Sequence, residues 1–163
     1  MPLNYIDTSA LLKRYVEEVG SGRIDALLVD SAAVSSIARV EIASALARRT
    51  REGALSPEQR EEIYAQFLDD LTALVVVVAG GVVLQRAATL ALAAPPDAPL
   101  RTLGAIHLAS ALTAFEERAD QTGGIGAFVT SDRQLRRAAE GAGLHVVDPE
   151  ADPAAGPQTE RST

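Results

Sequence analysis

Residues 3–16, LNYIDTSALLKRYV, change from one secondary structure to another within a few positions. The apolar run Leu3–Ile6 is typical of a short buried strand, and an aspartate, Asp7, follows it directly. The next residues carry apolar side chains at helical spacing, and Thr8 or Ser9 can cap the helix that they predict. A strand that leads straight into a helix is the repeating unit of a parallel α/β fold.

The rest of the chain repeats this alternation of short strands and longer helices. Strands are predicted at 33–34, 74–78, 127–130 and 144–147. Helices are predicted at 22–29, 37–51, 82–93, 100–118 and 132–140, and a further one begins after Ser56-Pro57. Ser35-Ser36 and Ser131 are the predicted caps of the helices at 37 and 132. These elements predict an α/β fold, a three-layer sandwich with a central, mostly parallel sheet flanked by helices.

Length and composition support one ordered domain. The chain has 163 residues, of which 47% are hydrophobic and 23% charged, a normal mixture for a globular protein. We expect the domain to cover residues 1–149 and the tail 150–163, rich in proline, glycine and alanine, to be disordered. The longest apolar stretch, 74–84, is about half the length of a membrane span. A soluble cytoplasmic protein is therefore expected.

Composition also excludes several classes of function. The chain has no cysteine, which excludes a disulfide scaffold, a Cys-ligated zinc site, an iron–sulfur cluster and a thiol nucleophile. Its formal charge of −7 is unsuited to a protein that coats nucleic acid through nonspecific phosphate contacts. The same charge is compatible with an enzyme that reaches phosphates through a bound cation.

Three acidic residues occupy positions where a site can form. Asp7 and Asp132 each follow a predicted strand, so both are expected at the carboxyl edge of the sheet, where ligands bind. Glu41 lies among apolar residues of the helix 37–51. Converging carboxylates repel one another, and a hard cation such as Mg²⁺ or Mn²⁺ would remove that repulsion. From the pattern alone, helix capping by the aspartates and a solvated position for Glu41 stay open.

Four segments together resemble the motifs of the PIN-domain ribonucleases, in particular the VapC-type toxins of type II toxin–antitoxin systems. In order, they are 5–13 (YIDTSALLK), 40–46 (VEIASAL), 100–111 (LRTLGAIHLASA) and 128–135 (FVTSDRQL), the last continuing to Gly143-Leu144. Their order and spacing agree with the family over residues 3–149. The resemblance implies a PIN-like domain over 1–149.

The resemblance also implies a metal-dependent endoribonuclease toxin. Its carboxylates would hold Mg²⁺ or Mn²⁺ and activate a water for in-line attack on RNA, with Asp7, Glu41 and Asp132 as the catalytic and metal-binding acids. Thr8 or Ser9 would hydrogen-bond the Asp7 carboxylate or a metal-bound water, although helix capping explains both equally well. Ser131 is a similar candidate, for which helix capping is the better explanation. The implied partners are RNA, with transfer RNA as one candidate, a VapB-like antitoxin that neutralises the toxin, and a second copy of the chain.

The third motif departs from the family pattern at Gly104, where the family has an aspartate. A glycine inside a helix costs about 1 kcal/mol relative to alanine, and nothing nearby requires its backbone freedom. Three explanations stay open: an introduced inactivating change, natural decay to a binding module, or a site with fewer acids that Asp97 of the preceding loop completes. The missing carboxylate predicts weaker metal binding and reduced or absent cleavage.

Basic residues near the predicted site are the candidates for RNA binding. Arg133, Arg136 and Arg137 share one predicted helix and are interpreted as phosphate contacts, with a solvated helix face as the alternative. A second group, at Arg48 and the arginines after it, ends the helix 37–51, where the helix dipole explains it equally well. His107, three residues after Gly104, is interpreted as a packed helix histidine with a single hydrogen bond, with a role in the site as the alternative.

The main competing interpretation is a noncatalytic PIN module that binds an antitoxin or RNA without cutting. A receiver-like regulatory domain is disfavoured because it needs a lysine after a late strand, and no lysine follows Lys13. A haloacid-dehalogenase-type phosphatase is disfavoured because Ser9 stands where its second acid would be required.

Overall fold

Five short strands form the centre of the structure, a computed structural model that describes residues 2–28, 31–96, 98–119 and 124–151. The strands are β1 (Leu3–Ile6), β2 (Ala32–Ser35), β3 (Val75–Val77), β4 (Ile125–Val129) and β5 (Val146–Val147). Neighbouring strands are parallel, in the order β3-β2-β1-β4-β5. Because β1 is the middle strand, Asp7 emerges at the centre of the carboxyl edge of the sheet.

Seven α-helices connect and cover these strands in the described part of the chain. They are α1 (Thr8–Leu11), α2 (Ser21–Leu28), α3 (Ala38–Arg51), α4 (Pro57–Asp70), α5 (Gly81–Ala93), α6 (Thr102–Ala119) and α7 (Arg133–Gly141). Short 3₁₀ turns, Leu12–Arg14 and Leu71–Ala73, follow α1 and α4. Within the described ranges, no helix has the length and apolar character needed to cross a bilayer.

The sheet has an apolar core on each face. Ile6 points into a layer formed with α1 to α4, where Ile42 of α3 is fully buried. The adjacent Tyr5 points into the opposite layer, together with Leu108 of α6 and Leu135 of α7, and α5 packs on the outside of α6. Successive side chains of a strand alternate between faces, which explains how one strand supplies both layers. The predicted three-layer α/β sandwich is confirmed.

The two helices that begin beside the carboxyl edge are capped by the aspartates, an alternative that the sequence left open, and not by the hydroxyl residues after or before them. Asp7, and not Thr8 or Ser9, is the N-cap of α1. Asp132, and not Ser131, is the N-cap of α7. Each aspartate has an extended backbone and accepts hydrogen bonds from the first turn of its helix. The caps therefore fix the positions of both aspartates.

Of the other two predicted helix starts, one is correct and one is wrong. Ser56 forms a reciprocal capping box with Gln59 at the start of α4, as the serine and the proline after it predicted. The start of α3 is different, because its N-cap is Ile37, whose side chain makes no capping hydrogen bond. The hydroxyl of Ser36 instead accepts a hydrogen bond from the backbone of Ala79, next to β3.

The chain that follows β5 lies against the domain as far as it is described. Gly20 has a φ of +91° and packs so closely that an added β-carbon would lie 2.7 Å from the carbonyl oxygen of Pro149. Glu150, which the sequence assigned to the tail, forms an ion pair with Lys13 at 2.7 Å. The remaining tail residues, 152–163, are outside the described residues, so the predicted disorder stays a prediction.

Candidate active site

Asp7 is buried at the centre of the carboxyl edge, with 4% of the residue exposed. Its Oδ2 accepts hydrogen bonds from Ser9 Oγ at 2.5 Å and from Thr130 Oγ1 at 2.9 Å. Its Oδ1 lies 3.2 Å from Nε2 of His107. A buried carboxylate requires such partners because it has lost most of its hydration. Together they hold the side chain in one orientation.

Two hydroxyl groups connect Asp7 to the turn that carries Asp132. Ser9 Oγ accepts a hydrogen bond from the backbone N–H of Ser131 at 3.1 Å, and Thr130 Oγ1 accepts one from the N–H of Asp132 at 3.0 Å. Each hydroxyl thus donates to Asp7 and accepts from the turn. The hydrogen bond from Ser9 to Asp7 agrees with the sequence prediction. Thr130 was missed, although its place at the end of a predicted strand was a usable signal.

Glu41 lies in the first turn of α3 and meets residues of α1 and α6. Its Oε2 accepts a hydrogen bond from Thr8 Oγ1 at 2.7 Å and lies 2.7 Å from His107 Nε2. Thr8 therefore supports Glu41, whereas the sequence predicted a contact with Asp7 or with a metal-bound water. Burial raises the pKa of Glu41, but the hydrogen bond and charge of His107, together with Thr8, lower that pKa below its ordinary value. Glu41 is therefore ionised at neutral pH.

His107 of α6 lies behind the two carboxylates and is 1% exposed. Its Nε2 faces both Asp7 and Glu41, and its Nδ1 lies 2.8 Å from the hydroxyl of Tyr5. The predicted single hydrogen bond is wrong, because this packed histidine has partners on both ring nitrogens. The sequence signal was its position, three residues after Gly104 and so about one helical turn away.

The electrostatic environment favours a charged imidazole at His107. Burial lowers the pKa of His107, but the hydrogen bond to Glu41 and the charges of Asp7 and Glu41 raise it more, so the pKa lies above its ordinary value. Burial also raises the pKa of Tyr5, as does the charge of Asp7, so the phenol keeps its proton. Asp7 and Glu41 thus share one buried imidazole partner.

The metal-free protein is therefore expected to lose stability as the pH rises. The pKa of His107 is raised in the folded state, so protonation of His107 adds to the free energy of unfolding. This contribution is complete below the unfolded-state pKa of about 6.5 and is lost as the pH rises past the folded-state pKa. Each unit of that shift corresponds to about 1.4 kcal/mol. Thermal unfolding in EDTA across this pH range measures the effect. His107→Gln should flatten the dependence of the unfolding temperature on pH, whereas His145→Gln, at an exposed histidine, should not. Equal pH dependence in the two variants would contradict the assignment of the effect to His107.

Asp132 is held at the start of α7 by both of its carboxylate oxygens. Oδ1 accepts hydrogen bonds from the backbone N–H groups of Gln134 at 2.8 Å and Leu135 at 3.1 Å. Oδ2 lies 3.5 Å from Nη2 of Arg101, just before α6. Both side chains of that ion pair are accessible to solvent, so it contributes little to stability.

A cleft of about 720 Å³ brings the residues of all four motifs together. Its lining includes Asp7, Glu41, Gly104 and Asp132. The first and the last of these are 125 residues apart in the sequence. The three acids that the sequence singled out therefore line one surface depression. Their catalytic and metal-binding roles are taken up below as proposals.

Gly104 leaves room for a side chain in the wall of this cleft. An added β-carbon would lie 3.3 Å from Leu100 Cδ1 and 3.6 Å from Leu135 Cδ1. Both neighbours are the ends of flexible side chains, so a small movement of Leu100 is sufficient to accept the extra carbon. Asp97, the acid suggested as a substitute for the missing carboxylate, lies outside the described residues.

The donor chemistry of the cleft suits a hard divalent cation. Carboxylate oxygens are the ligands that Mg²⁺ and Mn²⁺ prefer, and Asp7 and Glu41 both contact the same nitrogen of His107. Among the residues that the structure describes, no group of three or more His, Cys, Asp or Glu side chains is gathered as a metal site. One oxygen of Asp132 serves the helix cap, and Gly104 supplies no side-chain oxygen.

The arginines of α7 lie outside the cleft in the described part of the structure. Arg133 and Arg137 are exposed, and Arg136 forms an ion pair with Asp148 at 2.8 Å. The arginines that do line the cleft are Arg48 and Arg101. Arg48 belongs to one of the two predicted groups, whereas Arg101 was quoted within a motif and given no role.

A family model supports the class of protein that this fold and cleft define. The model of the PIN domain matches residues 5–141. The chain therefore belongs to the PIN-domain family. Its relatives place it among the VapC-type members of that family, which confirms the resemblance read from the four motifs.

Two curated relatives come from Mycobacterium tuberculosis. They are Ribonuclease VapC45 of strain CDC 1551 / Oshkosh and Ribonuclease VapC49 of strain ATCC 25618 / H37Rv. Each is 34% identical over 156 residues, which cover 94% of this chain and 100% of the relative.

Two solved structures share the fold at low sequence identity. One is VapBC2 from Rickettsia felis bound to a DNA fragment from its promoter, with a TM-score of 0.60, 13% identity, and coverage of 90% of this chain and 98% of the other. The second is DNA-bound VapBC from Salmonella typhimurium, with a TM-score of 0.61, 17% identity, and coverage of 91% and 99%. At this identity the likeness establishes the fold alone.

Proposed function

We propose that this chain is an endoribonuclease toxin that hydrolyses RNA phosphodiester bonds with Mg²⁺ or Mn²⁺ as cofactor. The observation that carries the proposal is the convergence of Asp7, Glu41 and Asp132, from three separate elements, on one cleft. The relatives with matching length bear the name ribonuclease. A cluster of carboxylates and a phosphodiester are both negative, and a divalent cation bound between them removes their mutual repulsion.

Each candidate residue has a distinct part in this proposal. A divalent cation held by Asp7, Glu41 and Asp132 would polarise the phosphate and acidify the attacking water. Ser9 and Thr130 fix one oxygen of Asp7, so that its other oxygen is presented in one orientation. His107 faces Asp7 and Glu41 and lowers the pKa of Glu41, which favours the ionised form in which that carboxylate binds metal.

Gly104 makes the proposed activity of this chain weaker than that of a site with four carboxylates. The position lines the cleft but contributes neither charge nor a side-chain oxygen. The same observation favours the second candidate function, a noncatalytic PIN module that binds an antitoxin or RNA. Cleavage assays on the chain and on its Gly104→Asp variant separate the two functions.

The proposed protein partner is a VapB-like antitoxin. The two solved structures described above are VapBC assemblies. The acidic cleft is open to a segment of such a partner, and an arginine from it would form charge-assisted hydrogen bonds with Asp7 or Glu41. Occupation of the cleft in this way would exclude RNA and neutralise the toxin.

A homodimer is also proposed, with α5 as one candidate surface. Val82 and Leu92 on this helix are 77% and 89% exposed, whereas Val83 and Ala87 face the core. Exposed apolar side chains on the outer face of a helix are suited to contact with a second copy of the chain. Light scattering of the purified protein measures the oligomeric state.

Removal of the metal or of Asp7 is expected to abolish RNA cleavage. The carboxamide in Asp7→Asn keeps the shape of the side chain but has no negative charge for a cation. Cleavage of bulk transfer RNA and of mixed-sequence RNA in Mn²⁺ should be lost with EDTA and in the variant. Asp69→Asn, at an exposed aspartate outside the cleft, is the matched control and should keep the activity.

The assay is run in the Gly104→Asp background as well, so that weak activity of the chain with Gly104 does not hide the result. Cleavage that survives both EDTA and Asp7→Asn would overturn the proposed mechanism. Absence of cleavage in both backgrounds would favour the noncatalytic module.

A further inference from the structure

Two arginines line the cleft that contains the acids. Arg48 lies on α3 seven residues after Glu41, which places it about two turns further along the same side of the helix. Arg101 lies just before α6 and three residues before Gly104. They are the only Lys or Arg side chains in the lining of this cleft among the described residues. The two cations thus stand on different elements around one group of carboxylates.

Both cleft arginines are available to a ligand. The side chain of Arg101 is 74% exposed, and its ion-pair contact with Asp132 is long, at 3.5 Å. Exposed pairs of this kind contribute only about 0–1 kcal/mol, so a phosphate can displace the contact at little cost. Arg48 is exposed and forms no ion pair with another residue of the described ranges.

Other arginines near the carboxyl edge are already engaged or face elsewhere. Arg49, next to Arg48, pairs with Glu18, and Arg136 of α7 pairs with Asp148. Arg133 and Arg137 are exposed but do not line the cleft in the described part of the chain. Position and lack of a strong partner therefore single out Arg48 and Arg101.

We propose that Arg48 and Arg101 bind the RNA phosphates on either side of the bond to be cut, a role that the sequence assigned to the arginines of α7. The assignment rests on the proposed ribonuclease function. A guanidinium group offers a planar pair of donors that matches phosphate oxygens. The other charged groups of the cleft are mostly acidic, so these two arginine side chains supply its electrostatic attraction for the RNA backbone.

The test compares two double variants with the same change in net charge. Arg48→Gln/Arg101→Gln alters the cleft, and Arg133→Gln/Arg137→Gln alters the exposed face of α7. Both are made in full-length Asp7→Asn protein, which is expected not to cut the probe. The probe is a fluorescein-labelled pool of mixed-sequence single-stranded RNA, and its affinity is measured by fluorescence anisotropy over a series of salt concentrations.

The cleft double variant is expected to bind RNA about tenfold more weakly for each arginine removed. Its slope of log K against log salt should fall by about 0.7 for each lost phosphate contact. The α7 double variant should change affinity by less than about twofold. Arg48→Lys/Arg101→Lys should keep most of the salt slope but lose affinity, because lysine keeps the charge without the planar fork.

Equal weakening by the two double variants would overturn the proposal, because it would show that only net charge matters. A larger effect of the α7 variant would overturn it in favour of the sequence-based assignment. If Gly104→Asp protein cuts RNA but affinity does not depend on Arg48 or Arg101, only this inference fails. If the protein neither binds nor cuts RNA, the proposed function fails as well. Thermal unfolding confirms that each variant is folded.

Discussion

Gly104→Asp is expected to increase metal-dependent RNA cleavage by about a hundredfold. Of the four motifs that line the cleft, only the third has no acid at the position where the family has one, and the substitution supplies that carboxylate. The position lies in the first turn of α6, where a negative side chain also interacts favourably with the helix dipole. The β-carbon meets only the ends of Leu100 and Leu135, so the fold can accept it. Cleavage rates in Mn²⁺ and calorimetric Mn²⁺ binding measure the effect.

Two control substitutions separate the carboxylate from the change of backbone. Gly104→Ala adds the same β-carbon and stabilises the helix by about 1 kcal/mol, without adding a ligand. Gly104→Asn adds a side chain of the same shape but without the charge. Both are expected to leave cleavage and Mn²⁺ affinity close to those of the chain with Gly104. If alanine raises activity as much as aspartate, helix rigidity and not metal binding is the cause.

Much of the fold could be predicted because its signals are local. The run Leu3–Ile6 and the helical pattern after it mark a strand and a helix without reference to distant residues. The capping box that begins at Ser56 is equally local. The alternation of such elements is sufficient to indicate a parallel sheet covered on both faces.

The site was predicted less completely because its contacts join residues far apart in the chain. His107 meets Asp7 across 100 positions of sequence and Glu41 across 66, and no local pattern shows on which side of α6 the imidazole will find carboxylates. Thr130 and Asp7 are separated by 123 positions. The strand order, with β1 beside β4, creates that contact.

Capping and function were treated as alternatives in the sequence, but the structure shows that a capping carboxylate keeps an oxygen for a second contact. Asp7 caps α1 with Oδ2 and still presents Oδ1 to His107. Asp132 caps α7 with Oδ1 and extends Oδ2 toward Arg101. A carboxylate has two oxygens, so a cap leaves one of them for another partner. A helix cap that follows a strand therefore remains a candidate ligand.

Loss of both acidic partners of Lys13 is expected to destabilise the protein by about 3 kcal/mol. Lys13 is the only lysine of the chain and is 4% exposed, in the 3₁₀ turn after α1. Its Nζ lies 3.2 Å from Glu18 and 2.7 Å from Glu150. In Glu18→Gln/Glu150→Gln the ammonium group stays buried without a compensating charge. The Tm should fall by about 6–12 °C.

Lys13→Met is expected to cost less, about 1 kcal/mol. It breaks both ion pairs of Lys13, whereas the double glutamine variant also breaks the Arg49–Glu18 ion pair. Methionine can follow the path of the lysine stem, and the two glutamates, whose side chains are 29% and 44% exposed, can return to water. Glu116→Gln is the matched control, because it removes the acid of the exposed Arg86–Glu116 pair; it should change stability by less than about 1 kcal/mol. Urea unfolding of the four proteins measures the differences. If Lys13→Met lowers the free energy of unfolding as much as the double glutamine variant does, the cause is lost packing or lost ion-pair attraction. The buried, uncompensated charge of Lys13 is then not the cause.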